Sequence, residues 1–321
     1  MIHPELISSA WNLPSIHATA TPTTGTIHQI LLLSTDETTY VLRAYRYAQK
    51  DRPRIVAEHA LSTYAHAQGL PAIAPIALPS GDTILEHEGR FYALYPCAHG
   101  QQIPREQVTS PAIITAMGHC LGELHRILSA YPHEKVRRPS FAVDLASTFS
   151  KMEKIEAAIG EKACLDAFDH HILAMLSQRR TWLQAAHTVD VQGFSSVEHQ
   201  VLHGDYQESN LFFERERVSA IIDWDQGCVA PRPWEILRTL QYVFNLDGPR
   251  CHLFLNAYRE VFPLSFEELA LTAHVYGWVQ AHNLWAYSSF YLENNHRVRH
   301  LLTPRFTPFE DAWAEIASFL R

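Results

Sequence analysis

At 321 residues, 47% hydrophobic and 19% charged, the chain is long enough to bury a substantial core and has an ordinary globular composition, which excludes a disordered or collagenous chain. A formal net charge of -8 argues against a nucleic-acid partner, because phosphate binding needs clustered Lys and Arg. Five cysteines, odd in number and without a C-x-x-C pair, suggest neither a disulfide framework nor a zinc ribbon, and read as reduced thiols in a cytoplasmic protein.

In chain order, the apolar runs Ile27–Leu33 and Thr38–Ala44, separated by Ser34-Thr35-Asp36-Glu37, predict a β-hairpin. Arg54 to Gln68 reads as a helix closed by Gly69 and Pro71. Two further strands are expected around Thr83–Glu86 and Phe91–Tyr95, flanking the turn at His87-Glu88-Gly89. Beyond Pro96 to Pro104 the pattern turns helical, with Ile113, Met117, Leu121, Leu124 and Leu128 on one face, which puts a lobe boundary near residue 96. Tyr131 to Gln200 is read as mostly helical, with His170-His171 inside a helical pattern. Leu211–Phe213 and Val218–Ile222 form a second hairpin, and helices dominate from Pro233 onward. The aromatic stretch from His274 to Leu292 is interrupted by Gln280, His282 and Asn283, so it predicts a buried helix rather than a membrane span. No basic segment followed by an apolar one marks a secretory signal, and the twenty histidines show no H-E-x-x-H spacing.

The informative stretch is His203-Gly204-Asp205-Tyr206-Gln207-Glu208-Ser209-Asn210, followed after the second hairpin by Ile222-Asp223-Trp224-Asp225. If the two strands between them pair, the turn returns the chain and Asn210 and Asp223 emerge side by side. A carboxylate and an amide oxygen suit Mg2+, a hard cation that keeps waters and shares nucleotide phosphates. Asp205, in the loop entering the hairpin, is placed to take a proton from an attacking hydroxyl.

This H-G-D-x-x-x-x-N followed by I-D-W-D resembles the catalytic loop and metal-binding motif of the aminoglycoside phosphotransferase and choline kinase family, whose fold is similar to that of protein kinases. The resemblance implies an α+β, bilobal protein-kinase-like fold. An N-terminal antiparallel sheet lobe with one helix, residues 1–95, would bind nucleotide, and a larger, mainly helical C-terminal lobe, residues 96–321, would hold the catalytic and acceptor sites. It implies ATP and Mg2+ as cofactors, Asp205 as catalytic base, Asn210 and Asp223 as metal ligands, and His203 as a residue bracing the loop, with Gly204 letting the backbone turn. Arg43, in Val41-Leu42-Arg43, is similar to the family's phosphate-contacting cation, and Glu58 to its acidic partner. Tyr95-Pro96-Cys97-Ala98 resembles the hinge against adenine, where Tyr95 and Cys97 are expected at the nucleotide. Thr24 and Gly25 stand in the phosphate loop without a G-x-G-x-x-G. His125, at the end of Met117–His125, reads as packing.

Departures from the family pattern begin with that phosphate loop and continue after the second hairpin. Asp225 adds a carboxylate that would touch metal or cap the turn, with the structural role favoured, and Glu235 stands where the family often braces the loop with Asp. The implied activity is transfer of the ATP γ-phosphoryl group to a small-molecule hydroxyl, on an amino alcohol, hydroxy amino acid, sugar or aminoglycoside. The alternative is a catalytically silent, kinase-like nucleotide-binding regulator. A protein kinase is disfavoured because Pro231 follows Asp223 too soon for an activation segment. Nine acidic residues against eight arginines from Pro231 to Arg321 give no strongly anionic pocket for a polycation. Trp278, Trp285, Tyr287, Phe290 and Tyr291 offer either an ammonium cage or core packing, the latter favoured by their helical spacing.

Overall fold

The computed structural model describes residues 2–22, 29–46, 51–186, 194, 197–303 and 305–321. They divide into two compact units, Met1–Arg138 with His199–Pro263, and Pro139–Glu198 with Leu264–Arg321. The boundary read after residue 95 coincides with the end of a strand at Pro96 and lies inside the first unit.

In the first unit, α1 (Pro4–Trp11) precedes a five-stranded antiparallel sheet in the order β1-β2-β3-β5-β4, made of Ala18–Ala20, Gln29–Ser34, Thr39–Ala44, Arg90–Pro96 and Leu85–His87 respectively. Alternation along the strands gives it two faces. One carries Leu33, Leu42, Tyr92 and Leu94 onto Ile7 and Trp11 of α1. The other carries Phe91 and Ala93 onto Ile55 of α2 (Arg52–Ala67). Arg43 pairs in register with Ala93 and so points to the second face. On α2, Ile55, Glu58, His59, Ser62 and Ala65 are all buried, the spacing of a single helical face, which presents Glu58 and His59 to the sheet.

The same unit holds α3 (Pro111–Leu128), β6 (His199–Leu202), β7 (Leu211–Glu214), β8 (Arg217–Ile221), β9 (Cys228–Pro231), α6 (Arg232–Tyr242) and α7 (Gly248–Val261). Two glycines set the approach of α3 to α7. A Cβ at Gly118 would stand 2.3 Å from the Phe254 carbonyl oxygen, and one at Gly122 would stand 2.8 Å from Val261 Cβ. Each glycine costs the helix about 1 kcal/mol against alanine, a penalty offset by backbone contact no larger residue allows.

The second unit is helical: α4 (Leu145–Gly160), α5 (Ala167–Ala185), α8 (Phe266–His282), α9 (Trp285–Tyr291) and α10 (Phe309–Ile316). The stretch from His274 to Leu292, expected as one helix, is two: Asn283 and Leu284 break it, and the Asn283 side chain accepts from Trp285 N–H at the start of α9. Its aromatics are largely core. Trp278, Tyr287 and Phe290 are buried, with Tyr287 donating to the Thr303 carbonyl and Phe290 packed on His296, whereas Trp285 is half exposed. Among the described residues no helix is long and apolar enough to cross a membrane.

Candidate functional site

The β7–β8 hairpin pairs Leu211 with Ile221, and one further bond, Ile222 N–H to the Asn210 carbonyl (3.0 Å), extends it to its mouth. Asp223 is the next residue, so Asn210 and Asp223 flank the open end as their spacing predicts. Asp223 adopts φ 63°, a left-handed conformation that Asp tolerates better than most residues. Trp224 is buried behind it, edge-on to the His203 ring at 4.7 Å.

The loop from His203 to Asn210 is fixed at nearly every step. Gly204 has φ 86°, and a Cβ there would fall 2.2 Å from the Gln226 carbonyl oxygen, so both conformation and space require glycine. Asp205 N–H donates to His203 Nδ1 (3.2 Å), which leaves Nε2–H to donate to the Ile222 carbonyl (3.0 Å) and ties the loop to the hairpin. The Asn210 amide donates to the Asp205 carbonyl (2.8 Å) and to Asp205 Oδ2 (3.0 Å). Gln207 Nε2 donates to the same Oδ2 (3.0 Å), and Arg238 donates to Oδ1 (2.7 Å).

Beneath the loop lies Glu235, fully buried on the first turn of α6. It accepts backbone N–H bonds from His203 (3.2 Å), Gly204 (2.5 Å) and Tyr206 (3.3 Å), and a fourth bond from His125 Nε2 (2.9 Å). Burial works against its charge, but the His125 and backbone donors hold its pKa below the usual carboxylate value. Burial likewise lowers His125, so the pair is a carboxylate and a neutral imidazole whose Nδ1 accepts from Tyr258 O–H (3.0 Å). Glu235 therefore occupies the bracing position, and His125 is structural.

Arg43 joins the sheet to this region. It donates to Glu58 Oε1 (2.8 Å) and to Asp223 Oδ1 (3.0 Å), and lies 4.0 Å from Asp225 Oδ2. Despite burial, its neighbours Glu58, Tyr45 and Asp223 raise its pKa, so it stays charged. Glu58 is pushed up to about 7, first by burial and then by Asp225 and Asp223, with Arg43 only partly offsetting them. Its Oε2 is buried with no hydrogen-bond partner among the described residues. Tyr45 O–H also donates to Glu58 Oε1 (3.3 Å), and the Tyr45, Tyr95 and His59 polar atoms meet at 2.9–3.0 Å. Burial lowers the His59 pKa to about 3, so it is neutral, with Nδ1 against Thr83 Oγ1 (2.6 Å).

Asp225 is buried and lies 3.7 Å from Arg54 on α2, with Gln226 Nε2 donating to its Oδ1 (3.2 Å). It thus joins α2 to the turn after the hairpin. Asn210 Oδ1 and Asp223 Oδ2 make no hydrogen bond among the described residues. One amide and one carboxylate oxygen at the hairpin mouth fit a hard cation that fills its remaining positions from water or phosphate. The described residues contain no group of three His, Cys, Asp or Glu side chains able to cage a metal by themselves. Tyr95 turns its side chain into the buried network, and Cys97 follows β5 partly exposed. Thr24 and Gly25 lie outside the described residues. Sequence reasoning missed Arg238, Arg54, Tyr45 and His59. For Arg238 the signal was available, since it stands three residues after Glu235 and shares its helical face.

The α+β fold is that of the kinase-like aminoglycoside phosphotransferases. A spectinomycin phosphotransferase solved with ADP and spectinomycin has TM-score 0.63 and 16% identity, covering 99% of this chain and 96% of that one. An amicoumacin kinase solved with AMP-PNP, Ca2+ and Ami has TM-score 0.58 and 13% identity, covering 96% of this chain and 95% of that one. The chain belongs to the phosphotransferase enzyme family, whose pattern it matches over residues 20–269. It is 24% identical over 245 residues to a homoserine kinase of Methylobacillus flagellatus, covering 74% of this chain and 69% of that protein. Its similarity to stress response kinase A of Salmonella paratyphi A is 27% over 241 residues, covering 74% of this chain and 66% of the relative, just under two thirds of its length.

Proposed function

We propose that the protein transfers the γ-phosphoryl group of ATP to a hydroxyl of a small molecule, with residues 1–95 binding nucleotide and residues 96–321 carrying the catalytic and acceptor groups. The observation that carries this reading is the Asp205 carboxylate locked to Asn210 beside a hairpin mouth where Asp223 is paired with the sheet's Arg43. Asp205 takes the proton of the attacking hydroxyl, its carboxylate held in one orientation by Asn210, Gln207 and Arg238. Asn210 Oδ1 and Asp223 Oδ2 would hold Mg2+, which when bound supplies charge neutralisation to the phosphate oxygens. Arg43, fixed by Glu58, contributes a phosphate-facing positive charge from the sheet, so catalysis rests on positioning and electrostatics.

Two variants test the assignment. With Mg-ATP and a panel of alcohols, amino acids, sugars, nucleosides and aminoglycosides, mass spectrometry is expected to find a product with the wild type. In Asp205→Asn its rate should drop by roughly 10²–10⁴ while ATP binding persists. Asp223→Ala should instead weaken Mg-ATP binding in calorimetry. Equal turnover and equal affinity in both variants would remove the assignment.

A further inference from the structure

We infer that the acceptor is a short hydroxy acid, an alcohol whose carboxylate is met by Arg238, and not an amino alcohol or an amine-rich sugar. This deepens the phosphotransferase reading and rests on it.

The lone pairs of Asp205 fix where an acceptor hydroxyl can bind. A carboxylate has about four acceptor positions, two on each oxygen. Oδ2 takes two donors, from Gln207 and Asn210, both at 3.0 Å. Oδ1 takes a single protein donor among the described residues, Arg238 at 2.7 Å. The open position is therefore on Oδ1, and a hydroxyl that delivers its proton to Asp205 must do so beside the guanidinium. With an O–H···O contact of about 2.7 Å, the hydroxyl oxygen would stand within roughly 4–5 Å of the Arg238 nitrogen. The carbons next to that hydroxyl then lie within reach of a fixed positive charge. An ammonium there is repelled, whereas a carboxylate can share the Arg238 fork.

The surrounding charges agree. Arg137 donates to the Gln226 carbonyl (3.1 Å), the same oxygen that closes on Gly204 one residue before Asp205. Arg137 thus meets the turn that packs on Gly204, and Arg238 meets Asp205 itself. Of the other acidic side chains of the loop and its brace, Glu208 accepts from Arg105 at one oxygen (2.9 Å) and leaves Oε2 buried without a hydrogen-bond partner among the described residues, whereas Glu235 is buried beneath its four donors. In the step itself the acceptor O–H bond breaks and its proton passes to Asp205. A new O–P bond forms to the γ-phosphorus, and the bond to the β-phosphate oxygen breaks, its electron pair leaving with ADP.

The test uses the full chain with Mg-ATP and matched acceptors of two to four carbons that differ at one end only: the hydroxy acid, its amide and the corresponding amino alcohol. We expect kcat/KM for the best acid to exceed its amide and amino alcohol by about tenfold or more. That preference should fall by about tenfold in Arg238→Met and be partly kept in Arg238→Lys, which retains the charge without the fork. An amide or amino alcohol used better than the acid, or an acid-to-amide ratio unchanged in folded Arg238→Met, overturns the inference and leaves the kinase reading standing. Should Arg238→Met not fold, the wild-type ratio and Arg238→Lys decide. Phosphorylation of no acceptor of any charge overturns both.

Discussion

Two glutamates, each more than nine-tenths buried, titrate in opposite directions, and the contrast separates the two halves of the site. Glu235 meets three backbone N–H groups and a neutral imidazole, a donor set that outweighs burial and keeps it ionised. Glu58 offers one oxygen to Arg43 and Tyr45, leaves the other without a partner, and faces Asp223 and Asp225, so its proton is retained up to about 7. Burial alone therefore does not decide the charge of a carboxylate; the number of donors aimed at it does. The loop side is satisfied and fixed. The sheet side is a chain of charges with more carboxylates than its cations neutralise.

The largest expected effect tests the satisfied half. Glu235→Ala leaves His125 and three loop N–H groups facing an apolar hole, and should destabilise the fold by about 3–5 kcal/mol in denaturant melts. A loss below about 1 kcal/mol would mean that the brace is dispensable.

The next effect separates the halves by pH. Because the folded-state pKa of Glu58 lies above its ordinary 4.5, the folded protein binds that proton more tightly than the unfolded chain does. Its contribution to stability is full at low pH and is lost as pH rises from about 4.5 to about 7. Glu58→Gln lacks this slope, so wild type should lose about 3 kcal/mol relative to the variant across that interval. Glu235 and His125, both shifted down, give the opposite sign: their contributions are present at neutral pH and are lost on acidification. Matched thermal melts of wild type and Glu58→Gln through the interval check the difference, and parallel curves would erase the contrast.

The smallest effect sharpens the sheet side. Tyr95→Phe removes one hydroxyl from the Tyr45–His59 cluster and should cost about 1 kcal/mol in stability. A much larger loss would show that these phenols position Glu58 more firmly than Arg43 does.

Four of the sheet's five strands, α2, α3 and the β7–β8 hairpin were legible in the sequence because strand alternation, helical spacing and turn residues agree there, whereas the three-residue edge strand β1 is too short to show a period. Observed strand ends differ from expectation by a residue or two, as at Arg90–Pro96 against Phe91–Tyr95. The four-residue strands β6 and β9 were not legible, since His199–Leu202 and Cys228–Pro231 are too short to show a period and gain their pairing only from each other. Nor was α1, whose eight residues are held by burial of Ile7 and Trp11 under a sheet formed later in the chain. Asn210 and Asp223 fall at the hairpin mouth as their spacing required. The network of Tyr45, His59, Tyr95 and Thr83 joins four separate segments, and no local pattern could announce it. Arg238 was missed for another reason: Glu235 was read as the brace of the loop, but the residue three positions along the same helical face was not followed to Asp205.

That helix grips the loop through one turn of side chains. Glu235 takes the backbone donors, Arg238 the Asp205 carboxylate, and Thr239 Oγ1 donates to the Tyr206 carbonyl (2.8 Å). For protein engineering this makes the eight residues from His203 to Asn210 an incomplete part. A graft that moved the loop into another scaffold without the turn from Glu235 to Thr239 would carry the motif and lose the shape that gives it meaning. The smallest transferable unit is the loop together with the hairpin behind it and the first two turns of α6.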